Sequence, residues 1–150
     1  MFKRSLILAI FSLSLLAAAA DKQLINKDAD GFAVQRHDVV AFFVDGKAEK
    51  GDPKIQSIYQ GARYVFSSAE HKRLFDAEPA KYVPVYGGYC AYGVANGHAV
   101  PIKIETWQIF DDKLILNYDL DVRSKFDKDK SGNLRKADAN WPGIVAKEGK

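Results

Sequence analysis

Cysteine is scarce in this chain, which has 150 residues and a single cysteine, Cys90. One cysteine cannot form a disulfide within the chain, so stability must come from a hydrophobic core. A chain of this length, rich in Phe and Tyr, can supply such a core. A cysteine without a partner in its own chain is a buried thiol, an intermolecular bridge, or a reactive or metal-binding group. The sequence leaves these three roles open for Cys90.

The chain also lacks a large excess of charge of one sign. It carries 22 Lys and Arg against 19 Asp and Glu, a net charge of +3. Two of the basic residues, Lys3 and Arg4, lie in the first 20 residues, so residues 21–150 carry 20 basic against 19 acidic side chains. This balance does not indicate a nucleic-acid partner, and no basic amphipathic stripe indicates a membrane surface.

The long apolar run of the sequence lies at its start. Residues 5–16 carry no charge, follow two basic residues and precede the four alanines at 17–20. This order is typical of a secretory signal peptide, and the run is shorter than the roughly 20 residues of a membrane-spanning helix. An uncleaved N-terminal anchor is the alternative. We expect residues 1–20 to be removed and residues 21–150 to form one exported domain, periplasmic or secreted, without membrane attachment.

The strand signals fall into two pairs. Residues 55–59 and 62–66 flank Gln60-Gly61, and residues 106–110 and 113–118 flank Asp111-Asp112. Two apolar runs separated by two turn-forming residues are typical of a β-hairpin. The hairpins and the helix signals occur in mixed order, without the regular strand–helix–strand alternation of βαβ units. The sequence therefore predicts a small α+β domain of β-hairpins packed with short helices.

The helix signals predict three helices after a leading arm at residues 21–35. A capping-box pattern that begins at Ser67 predicts a helix that ends before Pro79. A second helix is predicted over residues 119–128. The last helix carries apolar side chains at helical spacing, and Pro142 is expected to end it.

Several short sequence motifs occur in an order that resembles the YHS-domain family. The motif YGGYCA at residues 86–91, together with the matching motifs that follow it between residues 114 and 142, is similar to one exported branch of that family. The match covers roughly residues 32–142. The matching positions are 38–43, 64–68, 75, 79, 81–82, 86–91, 114, 116–118, 136–138 and 140–142.

The resemblance implies a metal-associated domain of a kind found alone or attached to metal-transport and oxygenase proteins. In the metal-type pattern of the family, two cysteines fall at the positions of Ser67 and His71, so this chain lacks both thiols. This departure argues against a zinc site built from two or four thiolates. Some relatives of the exported branch are described as selenoproteins, with selenium at the position of Cys90, which implies redox or soft-metal chemistry there.

Four side chains are candidate metal ligands: Cys90, His71, His37 and His98. A thiolate is a soft ligand and a neutral imidazole binds copper or zinc, so Cys90 and His71 form the preferred pair. The third ligand is expected from His37 or His98. The structural alternatives are a packed thiol for Cys90 and exposed helix or loop positions for the histidines.

Tyr89 and Tyr92 flank Cys90 in a loop rich in glycine and are candidates for the wall of a ligand pocket, with core packing as the alternative. We predict a non-enzymatic domain that binds a transition metal, copper or zinc, or a small molecule near Cys90. One alternative is a thiol redox protein that uses Cys90 with an external thiol. Another is a structural or interaction module. The sequence does not indicate the physiological partner or the oligomeric state.

Residues 127–138 match the spacing of a calcium-binding loop. Oxygen-bearing side chains occupy positions 1, 3 and 5, Gly132 is at position 6 and Asp138 is at position 12. Aspartate is a shorter ligand than the usual glutamate at position 12, and Arg135 and Lys136 add positive charge. The balance therefore favours a polar turn, which ends one helix and caps the next through Asn133, over a calcium site.

Overall fold

A computed structural model describes residues 21–150, and the predicted signal peptide at residues 1–20 lies outside this range. The described chain forms six α-helices and two separate antiparallel sheets of two strands each. The predicted α+β class is therefore confirmed. None of the helices in residues 21–150 combines the length and the apolar character that a membrane crossing requires.

The helices and strands follow one another in mixed order along the chain. The helices are α1 (Val39–Val44), α2 (Ala69–Ala77), α3 (Pro79–Tyr82), α4 (Ala91–Ala95), α5 (Leu120–Asp127) and α6 (Lys130–Glu148). The strands are β1 (Asp52–Tyr59), β2 (Ala62–Phe66), β3 (Lys103–Phe110) and β4 (Lys113–Asn117).

Both predicted hairpins are present, and β1 pairs with β2 as β3 pairs with β4. The connections are Gln60-Gly61 and Asp111-Asp112, and all four of these residues have positive φ. Two such residues in succession match the right-handed twist of the flanking strands, which is why short hairpins use them. Each hairpin also has a register irregularity on its first strand.

Strand β4 lies between the two hydrophobic clusters of the domain. Leu114 and Leu116 belong to one cluster, together with Phe66 and Phe75, whereas Ile115 belongs to the other. Successive side chains of a strand point to opposite faces, so three neighbouring apolar residues can serve both clusters. Helices α4 and α6 pack together over the second cluster.

The prediction that Pro142 ends the last helix is wrong, because α6 continues past it to Glu148. Proline has no N–H, so the helical hydrogen bond to the carbonyl of Asp138 is lost. The helix is held by tertiary contacts instead. The side-chain amide of Asn140 donates to the carbonyls of Val94 (3.0 Å) and Ala95 (3.1 Å) at the end of α4.

The leading arm is built into the fold. Gln23 and Lys150 exchange two backbone hydrogen bonds of 3.0 Å each, so the arm pairs with the last residue of the chain. The N–H of Asn26 donates to the carbonyl of Gly87 at 2.9 Å. Gly87 has φ +59°, and a Cβ there would lie 2.0 Å from the carbonyl oxygen of Leu24. The arm can lie in this position only because residue 87 is glycine.

Candidate functional site

The carboxylate of Asp38 lies just before α1 and has no exposed surface. Its Oδ1 accepts the backbone N–H groups of Val40 (2.9 Å) and Ala41 (3.2 Å), which caps α1. Its Oδ2 accepts both the N–H and the hydroxyl of Ser67, each at 2.8 Å. These hydrogen bonds offset the cost of removing the carboxylate from water, and they connect α1 to the end of β2.

The imidazole ring of His71, in the first turn of α2, also contacts the carboxylate of Asp38. Its Nδ1 lies 2.6 Å from Oδ2 of Asp38 and 3.3 Å from the hydroxyl oxygen of Ser67. A carboxylate accepts hydrogen bonds and cannot donate them, so the proton belongs to Nδ1 and the ring donates to Asp38. In the neutral imidazole Nε2 is then the bare nitrogen.

Nε2 of His71 faces a second carboxylate. Asp45 follows the last residue of α1, and its Oδ2 lies 3.5 Å from Nε2 of His71. The side chain of Asp45 is 38% exposed, whereas that of His71 is 12% exposed and that of Asp38 is 0% exposed. The three side chains thus form a line from the interior to the surface, with the imidazole between two carboxylates.

This geometry is close to that of two ligands on one metal ion. With metal–ligand distances of roughly 2.0–2.2 Å, two tetrahedral donor atoms lie about 3.4 Å apart. A carboxylate on the other nitrogen of a ligating histidine is its usual partner and fixes the tautomer. Within residues 21–150, no three or more side chains of His, Cys, Asp or Glu converge on one metal position. His71 and Asp45 can therefore supply two ligands and leave the other positions open.

Cys90 lies at the start of α4 and has no exposed surface. Its sulfur accepts the N–H groups of Gly93 (3.3 Å) and Tyr118 (3.2 Å), and its thiol faces Oδ1 of Asn117 at 3.5 Å. Burial raises the pKa of the thiol, although the backbone donors act in the opposite direction. The sulfur therefore stays protonated near neutral pH and caps α4.

The structure does not bring the four predicted metal ligands together. Cys90 and His71 have separate sets of partners, and His98 is exposed in the turn after α4. Nδ1 of His37 lies 3.0 Å from the carbonyl of Gln35, and burial lowers the pKa of His37. The expected cluster of Cys90, His71 and a third histidine is thus not formed among the described residues.

The two predicted pocket tyrosines take different positions. The half-buried ring of Tyr89 packs against Trp141, with ring centroids 6.4 Å apart, and burial raises the pKa of its hydroxyl. The N–H of Tyr92 donates to Oδ1 of Asn117 at 3.1 Å. Tyr92 also packs against both hydrophobic clusters, so its side chain serves the core.

Residues 127–138 do not form an extended loop, because α5 ends at Asp127, α6 begins at Lys130 and most of the segment is helical. The carboxylate of Asp127 accepts a hydrogen bond from the side chain of Gln108 at 2.9 Å. That of Asp129 caps α6 by accepting the N–H of Gly132, also at 2.9 Å. The segment contains the predicted turn between two helices, although Asp129 rather than Asn133 caps α6.

Sequence reasoning found His71 but missed Asp38 and Asp45 as its partners. An aspartate before an apolar run is a recognisable helix cap, so the local role of Asp38 could have been read from the sequence. Its second oxygen, however, reaches a ring 33 positions away. The predicted cap of α2 was also one residue early: Ser68 accepts the N–H of His71, while Ser67 binds Asp38.

Comparisons of the chain with protein-family models, curated proteins and solved structures found no match. Membership of the YHS-domain family therefore stays a prediction from the residues quoted above.

Proposed function

We propose that the chain is an exported YHS-type domain that binds a divalent transition metal ion through Nε2 of His71 and the carboxylate of Asp45. The observation that carries the proposal is the order of the three side chains. A buried carboxylate accepts the hydrogen bond from Nδ1 of His71, and a second carboxylate lies 3.5 Å from Nε2 on the other side of the ring. This arrangement moves the proposed site from Cys90 to His71.

The donor atoms favour particular metals. Nitrogen and oxygen ligands suit Cu(II) and Zn(II), whereas Cu(I) prefers sulfur, and Cys90 supplies none at this site. Because affinities of such sites rise from Zn(II) to Cu(II), we expect Cu(II) to bind more tightly. Two ligands from the chain leave coordination positions for water or for a ligand from a partner.

Asp38 acts on the metal through His71 rather than by direct contact. Its two oxygens already accept hydrogen bonds from α1, from Ser67 and from His71. The hydrogen bond to Nδ1 orients the ring and makes Nε2 a better donor. Asp45 is the more exposed carboxylate, so a metal ion from solution would reach the site on its side.

The proposal is tested by calorimetric titration of the purified protein with Cu(II) and with Zn(II). Asp45→Asn removes the charged ligand at an exposed position, and we expect the affinity to fall by about tenfold or more. His98→Gln removes an exposed histidine outside the site and serves as the matched control. We expect this control to retain the original affinity. Equal affinities of the original protein and Asp45→Asn would contradict the proposal.

The two alternatives that depend on Cys90 have less support. A thiol redox protein needs an accessible thiolate, but this sulfur has no exposed surface and burial raises its pKa. A dimer bridged through Cys90 needs the same exposure. The hydrogen bonds to Gly93 and Tyr118 favour a structural role for this thiol.

A further inference from the structure

A cleft of about 620 Å³ opens where the leading arm passes α6. Its wall includes the apolar or aromatic side chains of Ile25, Val83, Trp141 and Val145. The cleft has the volume and the lining that are typical of small-molecule sites. None of the residues at the proposed metal site lines it, so it is a separate feature of the molecule.

Tyr64 supplies a polar atom to this apolar wall. The residue lies on β2, lines the cleft and is only 3% exposed. No hydrogen bond to its hydroxyl is formed within residues 21–150, and the single fully enclosed side-chain atom without a partner there is Nδ2 of Asn117. The hydroxyl of Tyr64 therefore reaches open space, which the adjacent cleft provides.

Tyr86 lines the same cleft but differs from Tyr64 in its hydrogen bonding. The hydroxyl of Tyr86 donates to Oδ1 of Asp138 at 2.8 Å, so it is already committed to the fold. Burial raises the pKa of Tyr64, which keeps its hydroxyl protonated and able to donate. The hydroxyl of Tyr64 has no partner among residues 21–150 and can therefore donate a hydrogen bond to a ligand in the cleft.

The rim of the cleft does not favour a charged ligand. The ammonium group of Lys22 donates a hydrogen bond to the carbonyl oxygen of Ala146 at 3.0 Å, and Asp21 lies beside it with the opposite charge. The partly exposed indole of Trp141 offers a flat aromatic surface on the wall. The lining thus fits a flat apolar molecule that brings one hydrogen-bond acceptor to Tyr64.

We propose that the cleft binds a small, uncharged aromatic carbonyl compound, with the hydroxyl of Tyr64 donating to the carbonyl oxygen. The aromatic part of the ligand lies against Trp141 and the aliphatic wall. The proposal concerns a second site on the domain. It does not depend on metal binding at His71.

The test uses two probes of similar size with the same ring system, 2-acetylnaphthalene and 2-ethylnaphthalene, of which only the first has a carbonyl group. Binding is followed by NMR titration of the ¹⁵N-labelled protein, with the indole N–H of Trp141 as the reporter. Tyr64→Phe removes one hydroxyl and keeps the ring. We expect it to weaken binding of the ketone about three- to tenfold, the range for one hydrogen bond, and to leave binding of the hydrocarbon unchanged.

Two further variants control for folding and for location. Tyr82→Phe removes the hydroxyl of an equally buried tyrosine that does not line the cleft, and it should change neither affinity. Ala146→Phe, at an exposed position of α6 that lines the cleft, should abolish binding of both probes. The proposal is overturned if the ketone does not bind, if Tyr64→Phe weakens both probes equally or neither, or if Ala146→Phe has no effect.

Discussion

Cys90 differs from a free cysteine because the fold stabilises its protonated form. Burial raises its pKa above the ordinary value of 9.0, so the folded chain holds the thiol proton more firmly than the unfolded chain does. Between the pKa of the thiol in the unfolded chain and its higher pKa in the folded chain, the unfolded chain binds fewer protons than the folded chain does. The free energy of unfolding therefore falls as the pH rises through this range. The contribution of this thiol to stability is therefore complete below pH 9 and is lost above it.

Two measurements on Cys90 follow from this difference. At pH 8, we expect iodoacetamide to alkylate the native protein about a hundredfold or more slowly than the protein in urea, because the sulfur must first become exposed. As the pH rises above 9, the free energy of unfolding should fall less steeply for Cys90→Ala than for the original protein. Rapid alkylation of the native protein would restore Cys90 as a reactive group.

The chemistry of individual residues could be predicted from the sequence only in part. His71 was identified because its residue type is a metal ligand and its position matches a family cysteine. Its partners Asp38 and Asp45 come from the two ends of α1, and their contact with α2 depends on how the two helices pack. No local pattern in the sequence encodes that packing.

At the scale of secondary-structure elements, the leading arm depends on the left-handed turn at Gly87. Gly87→Ala adds a methyl group where the carbonyl oxygen of Leu24 lies, and alanine also disfavours the positive φ. We expect a loss of about 2–3 kcal/mol in the free energy of unfolding. We also expect faster hydrogen exchange at the N–H of Asn26, which donates to the carbonyl of residue 87.

Gly97→Ala is the matched control for this substitution. Gly97 also has positive φ, but a Cβ there would meet nothing within 4 Å. The control should lower the free energy of unfolding by only the roughly 1–2 kcal/mol that the left-handed backbone conformation costs alanine. Hydrogen exchange at the N–H of Asn26 should stay unchanged. Equal effects of the two substitutions would mean that the arm does not depend on the space at Gly87.

The elements that were predicted correctly depend on neighbours in sequence. Both hairpins follow from two-residue turns between apolar runs, and α5 follows from the Asp119 cap and the apolar residues after it. The continuation of α6 past Pro142 could not be predicted in this way. It depends on contacts with α4, about 45 positions earlier in the chain.

At the scale of the whole molecule, two features of the structure could not be predicted from patterns in the sequence. The two hydrophobic clusters on either side of β4 require that the strand be covered on both faces. The pairing of Gln23 with Lys150 joins the arm to the last residue of the chain. Apolar periodicity predicts the α+β class, but it does not specify which elements pack together.

The proposed metal site can be tested directly on the ring nitrogens of the three histidines. Long-range ¹H–¹⁵N NMR correlations distinguish a protonated from a bare imidazole nitrogen. We predict that His71 is protonated on Nδ1 at pH 8 and that added Zn(II) shifts its Nε2 resonance, while the rings of His37 and His98 remain unchanged. A His71 ring protonated on Nε2 alone, or a response to Zn(II) confined to His98, would contradict the account.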